Sequence, residues 1–191
     1  LPWYEKSEVA DDLDEAEKWY GRSLDLHEER DRLGRARCLN MLGQVAWQRF
    51  REAGQSKKPE KGLVKLINRA GHLCHEALGL LPHSAVNDLG ATHQQLGVIL
   101  ADARDLDRAL HHYREGIRYS ELAGDAYHAA QTRFNVAVAL LRARRFADAL
   151  DYGNAALRNF EAFGDRAKDM IEKTQRLIAK IEALKSQGDQ S

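Results

Sequence analysis

The chain has 191 residues, with Lys+Arg and Asp+Glu both at 29 and a formal net charge of zero. That length suits one domain or an elongated repeat array. Neutrality gives no support for general nucleic-acid or anionic-membrane binding, which need excess positive charge. Two cysteines exclude a disulfide scaffold and fit a reducing, cytoplasmic setting; no run of about 18 apolar residues exists, and the opening LPWYEKSEVADDLDEAEKWY has no apolar signal region.

Prolines occur only at Pro2, Pro59 and Pro82, and β-branched residues are sparse. Proline ends helices and β-branching favours strands, so the chain is predicted to be all-α. In chain order, residues 1–10 read as the remnant of a first helix, which leads to the expectation that the chain is a fragment of a longer protein. Helices are then predicted over 11–30, 32–53, 59–81, 84–103, 106–123, 126–143, 146–163 and 166–186. In the last, Met170, Ile171, Leu177, Ile178, Ile181 and Leu184 form one apolar face opposite Lys, Glu, Arg and Gln. Such a helix can cap the end of a stack. A disordered tail is expected over 187–191.

An internal repeat organises these helices. The segment from Leu96 to Asp125 superposes on that from Val136 to Asp165 at a shift of 40. Small residues match small ones (Gly97 with Ala137, Ala109 with Ala149, Gly116 with Ala156), and Leu100 and Leu110 match Leu140 and Leu150. Gly124 and Gly164 fall just past helix ends, each followed by an aspartate, Asp125 and Asp165, that is expected to cap the next helix. The pattern continues upstream: Leu42-Gly43 corresponds to Leu96-Gly97, and Ala16 and Ala70 to Ala109 and Ala149. One interval is longer, since Gly43 to Gly97 is 54 residues against 40 for the next. About two extra turns on each of two paired helices would absorb the excess and keep the packing phase. A protruding hairpin with its tip near Gly54–Pro59 is therefore expected, with Leu63, Val64, Leu66 and Ile67 as its apolar surface and Lys57, Lys58 and Lys61 solvated.

Motifs that carry chemistry are missing. GxxxxGK[ST], GxGxxG, GxSxG, HExxH and paired CxxC do not occur, so no catalytic, cofactor-binding or metal-ligating residue is assigned, and the chain is expected not to be an enzyme. His72, Cys74 and His75 lie close in sequence, with Cys38 on a partner helix. A zinc site is conceivable there, but Cys74 in the core with surface histidines is the simpler reading. A Cys38–Cys74 disulfide is disfavoured by the expected compartment. His111 and His112 point to different helix faces and could titrate near neutrality, although solvated rings are the ordinary alternative. The arginines from Arg142 to Arg145 end a helix, where cations are favourable.

LNMLGQVA, HQQLGVIL, LDRALHHY and FADALDYG resemble a tetratricopeptide repeat (TPR) array, from about Leu13 to Phe163. The sequence departs from that family's pattern at His93 and Arg133, where a large apolar residue is usual, and at Gly153, where an aromatic is usual. The resemblance implies a right-handed superhelix of antiparallel helix hairpins with a C-terminal capping helix. It forms one solenoid over 1–186, with a partial repeat over 1–30, repeats over 31–83, 84–124 and 125–164, and the cap over 165–186. It also implies a concave groove lined by the first helix of each hairpin. Here that groove would contain Arg37, Asn40, Met41, Gln44, Trp47, Gln48, Gln94, Gln95, Gln131, Phe134, Asn135 and Arg142, with Val98, Val138 and Asp102 nearby. Asn and Gln amides both donate and accept, so such a row can satisfy a peptide backbone. Asn40, Gln94 and Phe134 stand where a carboxylate-clamping groove would carry lysine, which argues against that groove type. The 40-residue period is similar to the repeats of kinesin light chains and Pins-type scaffolds. It is still more similar to the TPR tails of bacterial signalling ATPases with an NB-ARC-like (STAND) module. The expected function is a non-catalytic domain binding a peptide or protein segment, or other domains of its own polypeptide, within a larger bacterial regulator. No nucleic acid or membrane partner is expected; self-association as a dimer is the alternative.

Overall fold

The computed structural model describes residues 3–55 and 60–188. Eight α-helices follow one another among them: α1 (Trp3–Leu26), α2 (Arg32–Gln55), α3 (Glu60–Leu80), α4 (Val86–Asp102), α5 (Leu106–Leu122), α6 (Ala126–Arg142), α7 (Phe146–Glu161) and α8 (Lys168–Gly188). No strand occurs among the described residues. The architecture is an all-α solenoid of three stacked hairpins, α2–α3, α4–α5 and α6–α7, with α1 at one end and α8 at the other.

Each hairpin closes on a small residue. A Cβ on Gly97 would stand 2.5 Å from the Tyr113 ring, and one on Gly43 would stand 2.5 Å from Cys74 Sγ. The third hairpin reverses the trade. Ala137 replaces the glycine, Gly153 replaces the large partner, and Ile178 of α8 approaches within 3.2 Å of where a Gly153 Cβ would be. The departure at Gly153 is thus explained by the last helix filling the space an aromatic would take.

Apolar burial is distributed along the stack rather than gathered in one centre. Ala46, Ile67, Ala70, Cys74, Leu96 and Ile99 join the first two hairpins. Leu100, Leu110, Tyr113, Val136, Leu140 and Ile181 join the second, the third and α8. Each hairpin therefore depends on its neighbours for part of its buried face, as a solenoid requires.

The turns explain where helices stop. Gly124 and Gly164 take positive φ, 71° and 58°, where glycine has no steric penalty. Arg104 and Arg144 do the same at 63° and 59°, although they carry side chains. After each of these arginines the next amide closes the helix end: Asp105 N donates to Leu100 O and Arg145 N to Leu140 O, both at 2.9 Å. Asp125 accepts from His128 N at 2.9 Å and caps α6. Asp165 behaves differently from the expectation: it lies inside a 3-10 turn, Gly164–Ala167, and α8 begins only at Lys168.

Two boundaries also differ. The segment read as a remnant and the helix expected over 11–30 are one helix, α1, which ends at Leu26. Asp31 then caps α2 through Gly34 N (2.9 Å) while His27 Nδ1 meets its other oxygen (2.7 Å), and these bonds hold residues 27–31 in a turn. At the far end, α8 continues to Gly188, beyond the expected start of the tail; residues 189–191 lie outside the described residues. The long interval is helical on both sides: α2 has 24 residues and α3 has 21, against 16 or 17 in α4 to α7. Ile67 is buried in this extension and Val64 is exposed. The expected tip at Pro59, with Lys57 and Lys58, lies outside the described residues.

Candidate functional site

The first helices of the hairpins, α2, α4 and α6, stand side by side and leave a cleft of about 540 Å³. Helical spacing delivers its lining. Asn40, Gln44, Trp47 and Arg51 recur every three or four residues on α2, as do Ala91, Gln94, Gln95, Val98 and Asp102 on α4. His128, Asn135 and Arg142 recur every seven on α6. Eight of the twelve expected groove residues come together here: Asn40, Met41, Gln44, Trp47, Gln94, Gln95, Asn135 and Arg142.

The other four are placed elsewhere. Arg37 forms a two-pronged pair with Asp88 of α4, at 2.7 and 3.0 Å, beside a smaller neighbouring hollow. Gln48 turns toward α1 and lines a hollow with Leu13, Ala16 and Tyr20. Phe134 packs with Phe160, Ala167 and Met170 against the last helices, because α8 covers this end of the array. Gln131 is half-buried on α6 and outside the cleft lining. Arg51 and His128 line the cleft although the sequence reading did not select them. Both were accessible to it, since Arg51 is one turn beyond Trp47 and His128 two turns before Asn135.

Asp102 is the electrostatic centre of the cleft. Its Oδ2 accepts from Trp47 Nε1 at 2.8 Å and its Oδ1 from Arg142 Nη1 at 2.7 Å, so one carboxylate ties α2, α4 and α6 together. The Arg51 guanidinium lies 5.0 Å from the centre of the Trp47 ring, within cation–π range. Gln95 Nε2 donates to the Asn40 carbonyl at 3.3 Å, and the Thr132 hydroxyl lies 2.9 Å from Gln94 Oε1. These contacts hold the amides of Gln94 and Gln95 in place.

Two polar atoms in the same cleft have no partner among the described residues. Asn40 Oδ1 and His128 Nε2 are both buried and both unbonded. A buried acceptor or donor left unsatisfied costs about 1–3 kcal/mol, so such atoms are uncommon unless something completes them. An N–H group would complete Asn40 Oδ1. The imidazole nitrogen takes either a donor or an acceptor according to its tautomer. The cleft therefore offers paired amide chemistry, an apolar floor of Met41, Val98 and Val138, and cations at the α2 and α6 ends.

The thiols are inert by position. Cys38 and Cys74 are free and buried, and Cys38 Sγ meets Ser23 Oγ at 3.3 Å. Burial pushes the Cys74 thiol up to about 12, so it is not a nucleophile near neutrality. No group of three or more candidate ligands is arranged to hold a metal ion among the described residues. No helix there is long and apolar enough to cross a membrane.

No family model matches the chain. No curated protein matches it. Among solved structures it is similar to the crystal structure of BtubC (BKLC) from P. vanneervenii, at 14% identity and a TM-score of 0.45, over 93% of this chain and 92% of that one.

Proposed function

We propose that the chain is a non-catalytic interaction module of the tetratricopeptide-repeat kind, cytoplasmic, which holds a peptide or protein segment in the cleft between α2, α4 and α6. The observation that carries this reading is the pair of unbonded polar atoms, Asn40 Oδ1 and His128 Nε2, among fixed carboxamides. A peptide backbone offers an N–H for Asn40 Oδ1 and, according to the tautomer, an N–H or a C=O for His128 Nε2. Trp47, Met41 and Val98 then provide apolar contact beside the backbone sites. The absence of nucleotide-binding and hydrolytic motifs in the sequence agrees with a binding role. The larger setting we favour is the sensor or scaffold part of a bacterial NB-ARC-type regulator, on the strength of the repeat phrases.

A peptide-display selection against the chain tests the reading. Enriched peptides should bind the wild type and lose at least about tenfold in affinity to Asn40→Ala combined with Asn135→Ala, while the thermal midpoint stays within about 2 °C. Selected peptides that bind both proteins equally would place the site outside the cleft, and a selection that enriches nothing would remove the peptide-binding reading.

A second reading, self-association, is favoured by α1. Trp19 is 60% exposed and Leu26 84% exposed on this end helix. Light scattering across a range of concentrations separates the two readings, because only the second requires a mass that rises with concentration.

A further inference from the structure

Four histidines meet where the first hairpin rests on the second. His93 of α4 and His112 of α5 are each only 8% exposed, and their Nδ1 atoms are 3.0 Å apart. One Nδ1 donates and the other accepts, which requires both rings to be neutral or only one to be charged. His75 of α3, itself exposed, meets the His112 ring edge-on with centroids 5.5 Å apart. His111, also exposed, meets the same ring edge-on at 5.4 Å. Tyr119 stacks on His93 at 5.6 Å, and the Arg118 guanidinium lies over Tyr119 at 4.2 Å.

His112 is the hub, since it touches His93 within its own hairpin and His75 across the seam between hairpins. The charges around it are mostly of one sign. His72 and His75 face the cluster from α3, and Arg108, His111 and Arg118 from α5. Glu115 is the carboxylate among them, and it is already held by Arg118 at 2.7 Å. A proton added to a buried ring here loses hydration and meets other cations, and the attraction of Glu115 for His93 offsets only part of that.

We propose that the cluster of His75, His93 and His112 is an acid-sensitive joint, which holds the α2–α3 hairpin on the α4–α5 hairpin when its rings are neutral and loosens that seam when they are charged. The polar contacts on the groove side of the same seam are Trp47 to Asp102, Arg37 to Asp88, and Gln95 to the Asn40 carbonyl. Loosening the seam therefore also moves one wall of the cleft. The joint does not involve the occupant of the cleft and stands whether or not the cleft takes a peptide.

Burial, followed by the neighbouring histidines, brings the His112 ring down to about 4, and burial also lowers His93 and His75 below the ordinary 6.5. The unfolded chain binds these protons at pH values where the folded chain does not. Stability is thus full above about 6.5 and is lost as pH falls from 6.5 toward 4.

Urea unfolding of the full chain, together with amide exchange resolved by segment, tests the joint. Between pH 7 and pH 5 the wild-type unfolding constant should rise about tenfold more than that of His112→Phe. Exchange corrected for intrinsic rates should accelerate in α3 and α4 before α6 and α7. Equal pH dependence in the two proteins, or acceleration spread evenly over all helices, would overturn the proposal. If His112→Phe does not fold, ring-proton titration of the wild type decides. Two histidines still neutral at pH 5.5 support the joint, and all rings titrating near 6.5 dismiss it.

Discussion

At the scale of single residues, the repeat carries an asymmetry in its turns. The turns from second to first helices use Gly124 and Gly164, whereas those within the second and third hairpins place Arg104 and Arg144 in the same left-handed conformation. A side chain there is strained and glycine is not. Arg104→Gly should therefore raise stability by about 0.5–1 kcal/mol, read from urea midpoints at unchanged slope. The departures from the family pattern also resolve at this scale. Arg133 reaches Asn159 at 3.2 Å and pairs with Glu121, while His93 finds His112. Both polar side chains stand where apolar ones were expected, and both have acquired partners.

At the scale of elements, the controlling contact is the approach of the two helices in each hairpin. A Cβ on Gly97 would stand 2.5 Å from the Tyr113 ring, so Gly97→Ala must push the ring or the helix aside. A loss of about 1–3 kcal/mol is expected. In a Tyr113→Ala background the same change should cost far less, and the difference between the two backgrounds measures the contact. Equal losses in both backgrounds would mean that helix α4 itself is at fault. The hairpin register was legible in the sequence because Gly97 and Ala137, and Ala109 and Ala149, recur at a shift of 40 on helices of period 3.6, and Gly43 and Ala70 continue the pattern across one longer interval. Helix ends were less legible. Asp31 and Asp165 are both acidic residues before a helical run, yet Asp31 caps α2 and Asp165 sits inside a 3-10 turn.

At the scale of the whole molecule, stability is the sum of local seams. Ile181 of α8 is fully buried in the apolar cluster that the second and third hairpins share, α8 packs chiefly on α7, and the last helix has no successor among the described residues. Ile181→Ala should cost about 2–5 kcal/mol and lower protection from amide exchange first in α6 and α7, since neighbouring seams carry the array. A loss felt equally in α2 and α3 would show that the stack unfolds as one unit.

Composition and periodicity along one chain, which are local, determined the helical class and the pairing of helices into hairpins, and the face that lines the cleft was implied by the resemblance to tetratricopeptide repeats. The sequence did not separate Asn40 and Asn135 from Phe134 and Gln48, which share their helix faces but lean on α8 and α1 instead. Nor did it bring His75, His93 and His112 together from three helices. Those outcomes were decided by tertiary structure, because the partner that buries a side chain lies on another helix, at a distance set by the packing of every residue between.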